Sequence, residues 1–272
     1  MKKSKVLLFV ILPMLTASVV ISCNAQINFH NECIEMRHTY RDMLLDILDT
    51  TPYDNKSSEE IMMQEALKPI TISSVETYYI EGMNYDDYET RDDSWPAWHH
   101  LMKAADIAAC GYKKNNPKIT DIATKMVYYW VFTDHRSSNW WFNEIGCNRH
   151  LTNAAMFIFD KLNPKGQAAL LGKLRQSSLY YRPALMSHSG ANLIDFADIT
   201  LKNAILSENQ PEFITSVQRM EREIVDINEE GFQKDGSFFQ HGRQVQTCSS
   251  YGKSLIRMGN FFHVVSASSY QI

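Results

Sequence analysis

The feature that most constrains this chain is a helix-start signal that recurs along it. Asn116-Pro117, Asn163-Pro164 and Gln210-Pro211 each open an apolar stripe at helical spacing. Asn at a cap position accepts from a backbone N–H that the helix leaves unpaired. Pro just inside the helix loses nothing, because its missing donor would have had no partner there. After the first signal Ile119, Ile122, Ala123, Met126, Val127 and Trp130 fall on one helical face. After the third, Phe213, Val217, Met220 and Ile224 do the same. Residues 27–49 and 57–69 also read as helices, 70–94 as a long polar surface loop, 96–112 and 191–207 as further helices. Helices thus return roughly every 20–25 residues with short links, a spacing that stacks antiparallel hairpins side by side. No strict repeat and no useful strand alternation is visible, which argues against a solenoid array and against a β class. The expected class is all-α, a helical toroid or bundle.

Composition narrows the function. A hydrophobic content of 44% over 272 residues is ample for a core. A net charge of −4 offers no broad basic surface, so nucleic acid is not an expected partner. The first residues read as an export signal: Lys2, Lys3 and Lys5 precede an apolar run over 6–21 that is short for a membrane span. Val20-Ile21-Ser22-Cys23 resembles a bacterial lipobox, so residues 1–22 are expected to be a signal peptide, with Cys23 as the lipidation site. Cleavage after Ala25 is the alternative. Residues 23–272 then form one domain, exported to the periplasm or cell surface. Cys33, Cys110, Cys147 and Cys248 are scattered with no CxxC pair, so no zinc site is expected, and buried free thiols are preferred over a disulfide.

Three blocks carry candidate chemistry. In Asn139-Trp140-Trp141-Phe142-Asn143-Glu144, adjacent Trp residues sit about 100° apart on a helix, so one belongs to the core while the other faces out. An exposed Trp beside Asn suits a sugar platform; core packing is the competing reading. In Ser189-Gly190-Ala191-Asn192 a tight turn enters a helix, placing Asn192 in the first turn, where free N–H groups favour an anion. An ordinary capping residue is the plainer reading. Residues 228–249 break the helical rhythm with Gly231, Gly236 and Gly242. They carry His241, and Tyr251 follows. His titrates near neutral pH, and Tyr needs positive neighbours to act as a base. Lys234, Arg243, Lys253 and Arg257 against Asp235 supply them.

Together NWWFNEIG at 139–146, SGANLID at 189–195 and DGSFFQHGRQVQTCSSYG at 235–252 resemble polysaccharide lyase family eight, which includes chondroitin AC, hyaluronate and xanthan lyases. The likeness covers about residues 95–257; 27–94 match only in helical character. It implies an incomplete α/α toroid, followed in the family by β-domains, that cleaves uronic-acid glycans by β-elimination. By resemblance Asn192 neutralises the uronate carboxylate with help from His241. Tyr251 takes the C5 proton, protonates the leaving oxygen, or both; His241 is the other candidate base. Trp140, Trp141 and Asn143 match the patch that guides the glycan, and Gln240 and Arg243 are expected to touch substrate. The implied partner is an acidic polysaccharide such as chondroitin or hyaluronan. No cofactor or metal is implied, a monomer is expected, and the membrane is met only through the lipid anchor. His241 and Tyr251 stand one residue farther apart than in the family pattern. The chain ends at Ile272, before the family's later Arg, Glu and β-domains, so it reads as a truncated member. Two other readings stand beside the lyase. One is a non-catalytic surface glycan-binding protein. The other is a glycoside hydrolase using Glu144 and Asp195 as its carboxylate pair.

Overall fold

The computed structural model describes residues 28–86, 95–225, 230–233, 235–242 and 251–270. The expected leader over 1–22, the expected lipidation site Cys23, and Lys234, Arg243 and Cys248 lie outside the described residues.

Helices dominate, as the periodicity predicts. Helix α1 runs over 28–47. Helix α2, Ser58–Gln64, starts with a capping box: Ser57 Oγ accepts from the Glu60 N–H while the Glu60 carboxylate accepts from the Ser57 N–H at 2.7 Å. Helices α3 (Trp98–Lys113) and α4 (Pro117–Phe132) form a hairpin, with Asn116 Oδ1 accepting from the Lys118 and Ile119 N–H groups at the start of α4. A π-turn over Phe142–Gly146 leads into α5, Cys147–Ile158. Helix α6, Pro164–Leu174, is capped by Asn163, whose Oδ1 accepts from the Gly166 N–H at 2.8 Å. A short 3-10 turn over Pro183–Ser187 then precedes α7, Gly190–Ser207, and α8, Gln210–Val225, pairs with α7 as a second hairpin. Helix α9 is Lys253–Val265.

One expectation fails between α2 and α3. The helix expected over 57–69 stops at Gln64, and the region expected to be loop contains a β-hairpin. Strand β1 (Leu67–Ile72) pairs antiparallel with β2 (Val75–Ile80), with Leu67 opposite Ile80 and Ile72 opposite Val75. The link is Ser73-Ser74, both at positive φ, the backbone that two-residue hairpins require. Strands β3 (Gly231–Phe232) and β4 (Phe238–Phe239) make a second, minimal ribbon inside the segment expected to break the helices.

Packing is tightest where small residues line α3. Ala104, Ala105, Ala108 and Ala109 are fully buried, so α4 and α5 approach closely. Helix α7 is the core element: all of its residues except Asn192 and Ser207 are buried, and a helix apolar on every side is one surrounded by others. Its buried charge is paired. Lys202 Nζ donates to Asp198 at 2.7 Å and to Asn153 Oδ1 at 2.8 Å, while the Tyr40 hydroxyl donates to Asp198 at 2.8 Å. That network ties α1, α5 and α7 together and leaves neither ion without a partner. Cys33, Cys110 and Cys147 are buried free thiols.

Candidate functional site

The site is assembled at the amino-terminal end of α7. Gly190 enters the helix at φ +61°, and a Cβ there would meet Gln240 Oε1 at 2.5 Å. Glycine is therefore required twice, for its backbone conformation and for the space beside it. Ser189 makes no side-chain cap; the free donors of the first turn are taken from elsewhere. The Gly190 N–H donates to Glu223 Oε1 of α8 at 2.6 Å, and the Ala191 N–H to Gln240 Oε1 at 2.7 Å. Asn192 comes next. It is half-buried, and its side chain has no hydrogen bond among the described residues. The one amide that α7 turns toward the surface in this turn thus stands uncommitted, beside the positive end of the helix dipole.

Glu223 is buried, and desolvation pushes its carboxyl above the usual carboxylate range against the pull of the Gly190 N–H and Arg219. Arg219 donates to Glu223 Oε2 at 3.1 Å and to the Met186 and His188 carbonyls. It thereby fixes the strand of chain that leads into α7.

The glycine-punctuated segment reaches the head of α7 through Gln240. His241 occupies left-handed backbone at φ +56°, followed by Gly242 at +81°. Its Nε2 lies 2.6 Å from the Tyr251 hydroxyl, with the rings edge to face at 5.0 Å. His241 is exposed and Tyr251 half-buried, so the pair faces solvent. Gln240 does not. It is 2% exposed and both amide atoms are engaged: Oε1 accepts from Ala191, and Nε2 donates to Glu230 Oε2 at 2.9 Å. The residue expected to touch substrate is thus engaged internally, with the head of α7 and with Glu230.

The Trp pair splits as the helical geometry predicts. Trp140 is 46% exposed and stacks on His188 at 5.9 Å and 20°. Trp141 packs edge-on against Trp98 at 5.7 Å and carries the Arg149 guanidinium over its ring at 5.6 Å. A Cβ at Gly146 would meet the Trp141 ring at 2.7 Å. Asn143 braces the turn: Oδ1 accepts from the Ser137 N–H and Nδ2 donates to the Ser137 carbonyl, both at 2.8 Å. Its amide is committed to backbone, while its neighbour Trp140 is displayed.

One charge cluster joins α5, α7 and α9. Asp195, one turn beyond Asn192, is buried with Arg149 of α5 at 3.5 Å and Arg257 of α9 at 2.8 Å. The Arg257 contact is close but not aligned as a hydrogen bond. Two guanidiniums around one carboxylate leave a positive excess beneath Asn192. Glu144 meets Arg182 at 3.2 Å. The hydrolase reading needs one carboxyl free to protonate a leaving oxygen; here both carboxylates are held by guanidiniums. Glu223, Glu230, Arg149 and His188 carry no motif signal, because their partners lie far away in sequence. Among the described residues no cluster of three or more His, Cys, Asp or Glu side chains could hold a metal, and no helix is long and apolar enough to cross a membrane.

Comparison with known proteins identifies the family and the fold. Residues 86–272 match the N-terminal alpha-helical domain of polysaccharide lyase family 8. Chondroitinase-AC of Pedobacter heparinus is 29% identical over 182 residues, which are 64% of this chain and 25% of that protein. Hyaluronate lyase HylB of Enterococcus faecalis is 29% identical over 156 residues, 49% of this chain and 15% of that protein. Among solved structures, a chondroitinase AC lyase studied as oligosaccharide complexes superposes with a TM-score of 0.70 at 23% identity, covering 89% of this chain and 34% of the other. A Paenibacillus xanthan lyase gives 0.63 at 16% identity, covering 89% and 24%. These structural likenesses show the fold. The chain spans about a quarter of the length of the chondroitinase-AC it matches.

Proposed function

The chain belongs to polysaccharide lyase family 8, in its helical N-terminal domain, and from that membership we propose that it serves the β-eliminative cleavage of uronic-acid glycans such as chondroitin or hyaluronan. The observation that supports the reading is that the Ala191 N–H, beside Asn192, donates to Gln240 Oε1 at 2.7 Å, and Gln240 is beside His241, whose Nε2 lies 2.6 Å from the Tyr251 hydroxyl. Sequence separates these groups by about fifty residues; the fold brings their segments into contact through Ala191 and Gln240.

In this reading the uronate carboxylate docks on the Asn192 amide, near the N-terminus of α7 and the positive excess of Arg149 and Arg257 around Asp195. Donors there stabilise the aci-carboxylate that forms as the C5 proton leaves. The electrons left on C5 form the C4–C5 double bond, and the C4–O4 bond breaks. Tyr251 acts as the phenolate, its own proton passed to His241 Nε2 across their 2.6 Å contact, and takes the C5 proton to become the phenol. A protonated Tyr251 can then deliver the proton to the departing O4, so that product and a saturated leaving chain result without hydrolysis. Trp140 offers a flat apolar face for the sugar C–H groups, and Asn143 holds the turn that displays it. The chain would work as the helical part of the family's incomplete toroid, exported to the periplasm or cell surface, with Cys23 as its lipid attachment point.

The test is direct. Chondroitin and hyaluronan are incubated with the protein and the ultraviolet absorbance of unsaturated uronide is followed. A rise that disappears in Tyr251→Phe and Asn192→Ala supports the reading. Binding of either glycan without any rise would replace it with the non-catalytic surface-binding reading, and saturated products would indicate hydrolysis.

A further inference from the structure

A chain of hydrogen bonds straddles His241. The Ala191 N–H donates to Gln240 Oε1 at 2.7 Å, Gln240 Nε2 donates to Glu230 Oε2 at 2.9 Å, and the Gly242 N–H donates to Glu230 Oε1 at 2.9 Å. The residues on either side of His241 are thus gripped by one carboxylate, and that carboxylate is tied through one amide to the head of α7. No other described contact links the His241 turn so directly to the turn that bears Asn192. We propose that Gln240 and Glu230 are positioning residues, a latch that fixes the His241–Tyr251 pair against Asn192.

Three observations support this role over ordinary filling. First, the latch is saturated: both amide atoms of Gln240 and both oxygens of Glu230 are used. A glutamate at 240 would face the Glu230 carboxylate with no donor between them, and two like charges at that distance repel strongly. Second, the interface is fitted to it. Gly190 has φ +61° and leaves only 2.5 Å between a would-be Cβ and Gln240 Oε1, so the amide reaches its place because a side chain is missing there. Third, His241 is held at φ +56°, a conformation that costs a β-carbon residue about 1 kcal/mol or more and persists only when its surroundings impose it. The bonds at residues 240 and 242 are those surroundings. Gln240 is buried and Glu230 half-buried, and among the described hydrogen bonds neither reaches the imidazole or the phenol, so both act through His241.

The inference deepens the lyase reading and rests on it for its kinetic half. The geometric half stands alone. The experiment is an exchange across the pair in the full chain: Gln240→Glu, Glu230→Gln, and both together. In the double exchange the amide at 230 donates to the carboxylate at 240, the Gly242 N–H still finds a carbonyl oxygen at 230, and the Ala191 N–H still finds a carboxylate oxygen at 240. Every bond of the latch is restored with the charge moved across it. Gln240→Glu is expected to lower kcat by roughly 10- to 100-fold, the scale of an ångström of misplacement, with KM little changed. The double exchange is expected to recover to within a few-fold of the parent. In parallel, the His241 imidazole and Tyr251 ring resonances are followed by NMR without substrate. They are expected to move in each single exchange and to return in the double one. Should Gln240→Glu fail to fold, Glu230→Gln, which keeps size and the Gly242 bond, carries the same comparison. Additive losses in the double exchange, or resonances that do not move in the singles, would overturn the latch. A parent protein that yields no unsaturated product overturns the lyase reading instead, and the resonances still decide the geometry.

Discussion

Two adjacent tryptophans have opposite fates, and sequence alone does not say which is which. Helical geometry requires that they diverge; only the tertiary contacts show that Trp141 is the one wedged between Trp98, Gly146 and Arg149 while Trp140 is displayed. Trp140→Ala is therefore expected to weaken glycan binding while changing stability by about 0.5 kcal/mol or less, as for an open surface site. Trp141→Ala is expected to cost about 2–3 kcal/mol through the cavity it leaves. Denaturant melts beside a glycan titration check both, and equal stability losses would contradict the division. Next to Arg149 lies His150, whose two ring nitrogens have no hydrogen-bond partner among the described residues. Burial, with Arg149, Lys202 and His99 adding repulsion, drives its imidazole down to about 3 from the 6.5 of the unfolded chain. Between those values the unfolded state binds the extra proton, so stability falls as pH drops from about 6.5 and levels off below about 3. His100, held down to about 4 by burial, contributes in the same direction. His150→Phe is expected to flatten the acid limb of the melting midpoint without abolishing it; an unchanged slope would show that His150 is solvated.

At the scale of elements, what was legible in the sequence was what depends on near neighbours. The Asn116 and Asn163 caps stand where their Pro partners place them, because a cap is settled within three residues. Asn116→Ala is expected to cost about 1 kcal/mol, read as a lower melting midpoint with unchanged helix content. The hairpin β1–β2 was illegible for a local reason: its turn is Ser73-Ser74, both at positive φ, where the recognisable signal would be Asn-Gly or Asp-Gly. Its strands carry Ile70, Ile72, Val75, Tyr78 and Ile80, yet Lys68, Pro69 and Glu76 interrupt the alternation. The site divides along the same line. Asn192, His241 and Tyr251 were visible as motifs, because glycines and a helix start surround them. The inward turn of Gln240 was not, because its partners, Ala191 and Glu230, come from two other segments. Glu223, which meets Gly190 from thirty-three residues away, was hidden for the same reason.

At the scale of the molecule, the three motif blocks sit on a π-turn before α5, on the head of α7 and on the segment that carries β4, so their approach is a property of packing. Asp195 is where that packing is electrostatically joined, with α5 and α9 each sending an arginine to one buried carboxylate of α7. Removing one member of such a group leaves charge without compensation. Asp195→Asn is expected to destabilise the protein by about 3 kcal/mol, read as a lower denaturation midpoint; a variant as stable as the parent would show that the arginines are solvated. The burial of α7 has a further consequence. Amides so enclosed exchange with solvent only when the whole domain opens, whereas a ribbon of two-residue strands opens locally at far smaller cost. Asn192 rides on the first and His241 follows the second. The two sides of the candidate site therefore resemble a vice with one jaw cast into the frame and the other bolted on, and under the proposed function a glycan that is bulkier or more heavily substituted is expected to be accommodated by the bolted side.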